Sequence, residues 1–356
     1  MPRAHRQPTI IDVARHAGYS KSAVSLVLQG AASVSDEARR RVLAAVAELG
    51  YRPNRLARGL RLARGQVVGI IVQDTQNPYF SDIIRRLEEF LLRHDHDLII
   101  SETGQDVHRE QQALARLSER GVDGVIVYPT DCRRLAPALA ALQASGVHGV
   151  LWGSDGVGAD LPLDRVEVAI HDGALAAMEH LIGLGHRRLA FVAGVSPQQK
   201  ISERSGAFAA ALGRHGLVCT DDLIVRCGFR LQDGYEAGRD LLSRPNRPTA
   251  VFAVNDLVAI GVLRAARELG LAVPRDLSVV GVDDIELAAY LNPPLTTVAQ
   301  PIDQIAEALG DLVLSGIRGR RDPAAAPPAP RHVVLPTTLV VRGTSAPPGG
   351  GPAAAD

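Results

Sequence analysis

The chain has 356 residues, 46% hydrophobic and 22% charged, the balance of a globular protein of two or three folding units. No apolar run approaches the roughly 18 residues that cross a bilayer, and the basic start Met1-Pro2-Arg3 leads into no apolar signal core, so a membrane partner is not expected and a cytoplasmic location is. Cys132, Cys219 and Cys227 have no metal-ligand spacing and make no framework of bridges, which excludes a disulfide scaffold and leaves no metal or cofactor expected. The zero net charge conceals an asymmetry. Residues 1–66 hold 12 basic side chains against 4 acidic ones, a net +8, and the remainder, with 27 basic and 35 acidic, carries −8. A small basic head on a larger acidic body is the pattern of a polyanion-binding module joined to something else.

In chain order, Thr9 precedes the apolar-periodic run Ile10 to Ala17. Its hydroxyl suits a helix cap, Asp12 follows three residues later, and Gly18 ends the helix. Ser20 caps a second helix, Lys21 to Gln29, with Val24, Val27 and Leu28 on one face and Lys21, Ser22 and Ser25 on another. Two short helices about Gly18-Tyr19-Ser20 match the helix-turn-helix unit, whose second helix enters the major groove. A third helix is capped by Ser35, carries Asp36 and Glu37 at its positive end, has an apolar stripe of Val42, Leu43, Val46 and Leu49, and stops at Gly50. Tyr51-Arg52-Pro53 breaks that helix. Asn54 can then cap Arg55 to Arg61, an arginine-rich segment too short to be helical alone and expected to order only against a partner.

From Val67 the pattern changes. The β-branched run Val67–Val72 reads as a buried parallel strand. Helix 79–94, strand 97–101, helix 108–120, strand 124–128, helix 135–144 and strand 148–152 follow. The rhythm resumes after residue 166 with helix 173–184, strand 188–193, helix 202–215, strand 223–226, helix 234–243, strand 250–254, helix 257–269 and strand 277–282. Such alternation predicts doubly wound parallel sheets, and its length predicts two lobes. The expected fold is an all-α helix-turn-helix head on a periplasmic-binding-protein-like α/β body. The expected divisions are a head at 1–52, a linker at 53–66 and a body at 67–342. Lobe one takes about 67–165 with 297–320. Lobe two takes about 166–294 with 331–342, including short strands at 332–335 and 339–342. Residues 319–330 read as a loop and 343–356 as a disordered tail. Ligands in these folds sit beyond the carboxyl ends of strands, which singles out Asp74 through Phe80, Asn255-Asp256 and Asp283-Asp284.

Several motifs point one way. Thr9-Ile10-Ile11-Asp12-Val13-Ala14, Ala17-Gly18-Tyr19-Ser20-Lys21-Ser22-Ala23-Val24-Ser25 and Glu48-Leu49-Gly50-Tyr51-Arg52-Pro53-Asn54 in the head are joined by Asn255-Asp256-Leu257-Val258-Ala259-Ile260-Gly261, Gly270 to Pro274, Ser278 to Asp284, and Pro293-Pro294-Leu295-Thr296-Thr297-Val298 in the body. Together they resemble the LacI/GalR family of bacterial transcription regulators over nearly the whole chain. The resemblance implies DNA contacts from Thr9, Tyr19, Ser20, Lys21, Ser22, Ser25 and Leu26 in the head. It implies others from Asn54, Arg55, Ala57, Arg58 and the wedge position Leu60 in a hinge helix that enters the minor groove. It implies effector contacts from Tyr79, Phe80, Arg204, Phe229, Asn255 and Asp283.

Departures from the family pattern matter. Ala169 and Ile170 stand where an Asp-Asn pair usually opens the second lobe, Trp152-Gly153 where a polar residue is common, and Val282 where a phenylalanine or tyrosine is frequent. Leu26 replaces a base-reading arginine. Leucine cannot donate to guanine but can touch a thymine methyl. The expected function is a repressor acting as a homodimer on a pseudo-palindromic operator, controlled by a small polar effector such as a sugar or sugar derivative, and not an enzyme. A periplasmic-type solute-binding protein is the alternative, and it accounts for neither the basic head nor the missing signal core. No G-x-G-x-x-G follows the first strand, which argues against a dinucleotide enzyme.

Overall fold

A computed structural model describes residues 8–28, 34–51, 66–154, 158–194, 203–320 and 329–349. By its contacts the chain divides into Met1–Gly65 and Gln66–Asp356. In the first unit the described helices are α1 (Ile10–Ala17), α2 (Lys21–Leu28) and α3 (Asp36–Leu49). Thr9 accepts from the Asp12 backbone N–H while the Asp12 carboxylate accepts the Thr9 N–H at 2.8 Å, so two orphan donors of α1 are satisfied reciprocally. Gly18 and Gly50 end α1 and α3 at φ 74° and 60°, left-handed geometry that costs glycine nothing. Val13, Val24 and Val42 meet in a core completed by Ala17, Val27 and Ala45. The expected hinge contacts Asn54, Arg55, Ala57, Arg58 and Leu60 lie outside the described residues.

The second unit opens with β1 (Val67–Val72), α4 (Pro78–Arg93), β2 (Asp97–Glu102), α5 (Val107–Glu119), β3 (Gly124–Val127), α6 (Cys132–Ala144), β4 (His148–Ser154) and β5 (Asp164–Val168). It continues through α7 (Ile170–Gly183), β6 (Leu189–Gly194), α8 (Glu203–Arg214), β7 (Ile224–Cys227), α9 (Leu231–Leu242), β8 (Ala250–Ala253), α10 (Asp256–Glu268), β9 (Ser278–Asp283) and α11 (Glu286–Tyr290). It closes with β10 (Thr296–Ala299), α12 (Ile302–Arg320), β11 (His332–Leu335) and β12 (Thr338–Val340). Two six-stranded sheets result, in the orders β11-β5-β4-β3-β1-β2 and β12-β10-β9-β8-β6-β7. Their ladders are parallel except where β12 runs antiparallel to β10. The central strands are apolar throughout because helices cover both faces.

Three assignments made from sequence need correction. Residues 164–168 belong to the first sheet, where Val150 pairs with Asp164 and Ser154 with Val168. The strand escapes a search for apolar runs because its burial alternates, Arg165 and Glu167 being half-buried between Asp164, Val166 and Val168. Residues 296–299 belong to the second sheet, with Thr297 opposite Gly281, and 332–335 to the first, with His332 opposite Arg165. The chain therefore crosses between lobes after Val168, after Ala299 and after Leu335. The region expected to be a disordered tail is also ordered at its start. Thr344 is buried, donates to the Val279 carbonyl at 2.6 Å and accepts the Thr296 N–H at 2.9 Å. Ser345 and Ala346 are held by His180 Nε2 at 2.9 Å and His186 Nε2 at 3.0 Å. A run of small residues can lie against a sheet end where bulkier ones would not fit, which composition alone does not reveal.

Helices α9 and α10 pack backbone to backbone. A Cβ at Gly234 would meet the Val258 carbonyl oxygen at 2.3 Å, and one at Gly261 the Leu231 carbonyl oxygen at 2.3 Å. This close approach sets the starts of the two helices side by side, where Phe229 and Asn255 sit.

Candidate functional site

In the body, a cavity of about 520 Å³, counting its opening to solvent, lies between the lobes at the carboxyl ends of their strands. The first lobe supplies Gln73, Asp74 and Asn77 after β1, Tyr79 and Phe80 at the start of α4, Gln105 after β2 and Tyr128 after β3. The second supplies Arg204 from α8, Phe229 after β7, Val254 and Asn255 after β8, and Asp283 at the end of β9. Gln300, in the crossover from β10 to α12, completes the wall. Tyr79, Phe80, Arg204, Phe229, Asn255 and Asp283 are thus brought together around one cavity.

Each is placed by local structure. Asn77 accepts the Tyr79 N–H at 3.1 Å and so caps α4, with Pro78 at its first position. Tyr79 and Phe80 pack edge to face with centroids 5.2 Å apart, over a buried Trp152 at 5.9 and 5.7 Å. Tyr128 closes this aromatic floor, 5.0 Å from Trp152. Trp152 thus backs the aromatic floor from behind and does not itself line the cavity. Asn255 caps α10 through its oxygen, which accepts the Val258 N–H at 2.8 Å, while its amide donates to the Phe229 carbonyl at 3.0 Å.

The polar centre is a relay across the crossover. The Tyr79 hydroxyl donates to Gln300 Oε1 at 2.9 Å, and Gln300 Nε2 donates to Asp283 Oδ1 at 2.7 Å. Burial pushes the Asp283 carboxyl up to about 7, against the opposing pull of the Arg204 charge and of hydrogen bonds from Gln300 and Asn77. Burial, then the neighbouring Tyr128 and Asp283, raises the Tyr79 hydroxyl well above its ordinary value. Asp283 and Asp284 have φ of 118° and 57°, a strained turn at the pocket wall. Arg204 Nε is buried with no acceptor among the described residues. A buried donor left unpaired costs free energy that a bound oxygen would recover.

The other strand-end carboxylates do different work. Asp256 is fully buried and accepts from the Thr297 hydroxyl at 2.6 Å and the Ile285 N–H at 2.9 Å. It fastens α10 to β10. Asp284 pairs with Arg342 at 2.7 Å. Gln105, Tyr128 and Gln300 escape sequence reading. The strand-end rule applied to every strand would find Gln105 and Tyr128. Gln300 follows a strand that the sequence does not announce. Among the described residues, no group of three or more His, Cys, Asp or Glu side chains could hold a metal ion, and no helix is long and apolar enough to cross a membrane.

In the head, Val24 and Val27 of α2 face the core. Ser22 is exposed, Lys21 and Ser25 are half-buried, and Leu26 is 42% exposed. Ser20 spends its hydroxyl on the Ala23 N–H at 3.2 Å, and Thr9 spends its own on Asp12. Both therefore act first as caps that fix where α1 and α2 begin. Tyr19 packs on the core with the Arg41 guanidinium 5.5 Å above its ring.

Residues 9–54 match the model of the lacI family of bacterial regulatory proteins, and residues 178–345 match a periplasmic binding protein-like domain. The ribose operon repressor of Haemophilus influenzae is 34% identical over 334 residues, 94% of this chain and 97% of that protein. The HTH-type transcriptional repressor PurR of Erwinia tasmaniensis is 33% identical over 319 residues, 88% of this chain and 92% of that one. Among solved structures, a lac repressor dimer bound to operator and the anti-inducer ONPF aligns with TM-score 0.82 at 28% identity, covering 96% of this chain and all of that one. A LacI family regulator from Enterococcus faecium with bound ribose aligns with TM-score 0.67 at 28% identity, covering 79% of this chain and 99% of that one.

Proposed function

The chain belongs to the lacI family of bacterial regulatory proteins, a family of regulators and not of enzymes, and from that we propose that it is a transcription repressor whose grip on its operator is set by a sugar bound between its lobes. The observation that carries this reading is the cavity itself. Both lobes and a crossover contribute to its wall, so a molecule held there favours one lobe arrangement over another. Its chemistry suits a neutral polyhydroxylated ring. Asp283, Gln73 and Gln105 offer oxygens to hydroxyls, Arg204 brings an unspent donor, and Phe229 and Phe80 offer apolar faces. Relatives are named for ribose, and polar and aromatic side chains from both lobes converge on this cleft.

Two protomers present two heads to a pseudo-palindromic site in the cytoplasm, because a twofold protein reads twofold DNA. Lys21, Ser22, Ser25 and Leu26 face base edges, while Tyr19 and the caps Thr9 and Ser20 lie along the backbone. Asn54, Arg55, Ala57, Arg58 and Leu60 form the hinge contacts in the minor groove. Coupling between pocket and operator is typically five- to 150-fold in affinity, roughly 1–3 kcal/mol. The test is operator selection with the full chain, followed by anisotropy titration of the selected duplex with and without D-ribose and a panel of pentoses and hexoses. A sugar that changes operator affinity supports the proposal. Selection that recovers no symmetric sequence, or a head-deleted chain that still binds one, overturns it.

A further inference from the structure

The three crossovers leave from β5, β10 and β11, so the chain joins the lobes along one edge of both sheets, where β11 and β12 lie. The opposite edge carries β2 and β7. On that side the Arg230 side chain reaches from lobe to lobe. Arg230, which precedes α9 in the second lobe, donates from Nε to Asp74 Oδ2 of the first lobe at 3.0 Å. Asp74 is 18% exposed and lines the cavity, and its other oxygen accepts the Gln76 N–H at 2.9 Å. Glu102, at the end of β2, stands behind it. Its carboxylate accepts the Thr75 N–H at 3.0 Å and the Thr75 hydroxyl. Those hydrogen bonds first, and the Arg230 charge after them, hold the Glu102 carboxyl below its ordinary value. Arg230 itself is fixed at its root, since its N–H donates to Asp233 at 2.9 Å.

We propose that Arg230 is a positioning residue for effector binding: its ion pair with Asp74, backed by Glu102, latches the lobes at the edge opposite the crossovers and so sets how readily the pocket closes. This rests on the reading of the cavity as an effector site, but the latch does not depend on which molecule fills it. Contacts at the crossover edge are close to the axis of any opening motion and change little during it. A contact at the far edge is broken by the same motion, so a modest interaction placed there has the most leverage on the equilibrium. The guanidinium is 57% exposed, so the pair is screened by salt. The structure thereby supplies a bias toward closure that salt and a single charge reversal both remove.

The experiment measures the interlobe distance in the full chain without added sugar. Spin labels are placed at Glu119→Cys and Glu236→Cys after replacing the three native cysteines with alanine, and labelled chains are diluted into unlabelled ones. The expected wild-type distribution is narrow in about 50 mM salt and broader in about 500 mM. Arg230→Glu broadens or lengthens it at low salt, and Arg230→Glu combined with Asp74→Arg recovers it. A merely structural arginine would show neither the salt dependence nor the recovery by exchange. If the distribution of Arg230→Glu coincides with wild type at both salts, or if the double exchange fails to recover it, the latch is overturned. In a second arm, Arg230→Ala weakens D-ribose binding about two- to fivefold, the range of a half-exposed ion pair, with the difference fading at high salt. A wild-type chain indifferent to D-ribose counts against the sugar reading alone, and the distance measurement still decides the latch.

Discussion

Replacing Asp283 with asparagine tests the electrostatics of the pocket without disturbing its shape. The carboxyl rises from 3.8 to about 7 on folding, so the folded chain holds its proton more tightly than the unfolded one. The sign follows. Stability is full below the unfolded value, falls as pH rises, and is fully lost once pH passes the folded value. At 1.36 kcal/mol per pH unit, the span from 3.8 to about 7 amounts to a penalty on the order of 4 kcal/mol above neutrality. The substituted amide does not titrate, and its oxygen can still accept from Gln300. Asp283→Asn is therefore expected to unfold at higher urea than wild type at pH 8, with the advantage shrinking toward zero near pH 4. Trp152 is the one tryptophan in the chain and is buried 5.9 Å from Tyr79, so its fluorescence reports this body rather than the head. Urea titrations followed by that signal at intervals from pH 4 to 8 give the two curves. Parallel curves would refute the reasoning. The same substitution removes an ionised acceptor from the pocket, so stability gained there goes with weaker sugar binding.

Leu26→Arg is expected to shift the selected operator toward guanine at one position in each half-site, at about 1–3 kcal/mol of discrimination, while an unchanged selected sequence removes α2 from its assigned groove. Asp164 is 6% exposed and takes hydrogen bonds from Arg331 at 2.7 Å and His148 at 3.2 Å. Burial alone would raise its carboxyl, but these bonds outweigh burial and hold it at about 2. Its contribution is present above about pH 4 and is lost as pH falls toward 2, so Asp164→Asn should lower stability by about 2 kcal/mol at pH 7 and leave it unchanged at pH 2, read from urea midpoints. Thr344→Val keeps the shape but strands the Thr296 N–H and the Val279 carbonyl, and should cost about 1–3 kcal/mol in the same assay.

Legibility followed chemistry. Runs such as Val67–Val72 and Ser278–Asp283 are apolar enough that only a strand covered on both faces accounts for them. Thr9 with Asp12, and Gly18 and Gly50, mark helix ends because few residue types fill those roles. The pocket was visible in outline because parallel strands carry their sites at one end, which put Asp74, Asn255 and Asp283 in view. What escaped was set by partners distant in sequence. Nothing local in Asp164–Val168 says which sheet that short strand joins, and Thr296-Thr297 is not legible as a strand until β9 is laid beside it. Asp283 and Asp284 are adjacent and chemically alike, yet one faces the cavity and the other faces Arg342. Only the strained turn between them, which depends on the tertiary structure, tells them apart.

The last two strands are separated by only Pro336 and Thr337, and each is the outermost member of a different sheet. Neither lobe is therefore a contiguous stretch of gene. A ribosome that has made the first three hundred residues has delivered two sheets that each lack a border strand, and both are finished almost at the same moment by the same few codons. Fragments that stop short of residue 332 leave two sticky margins open at once, a form suited to aggregation and rapid proteolysis.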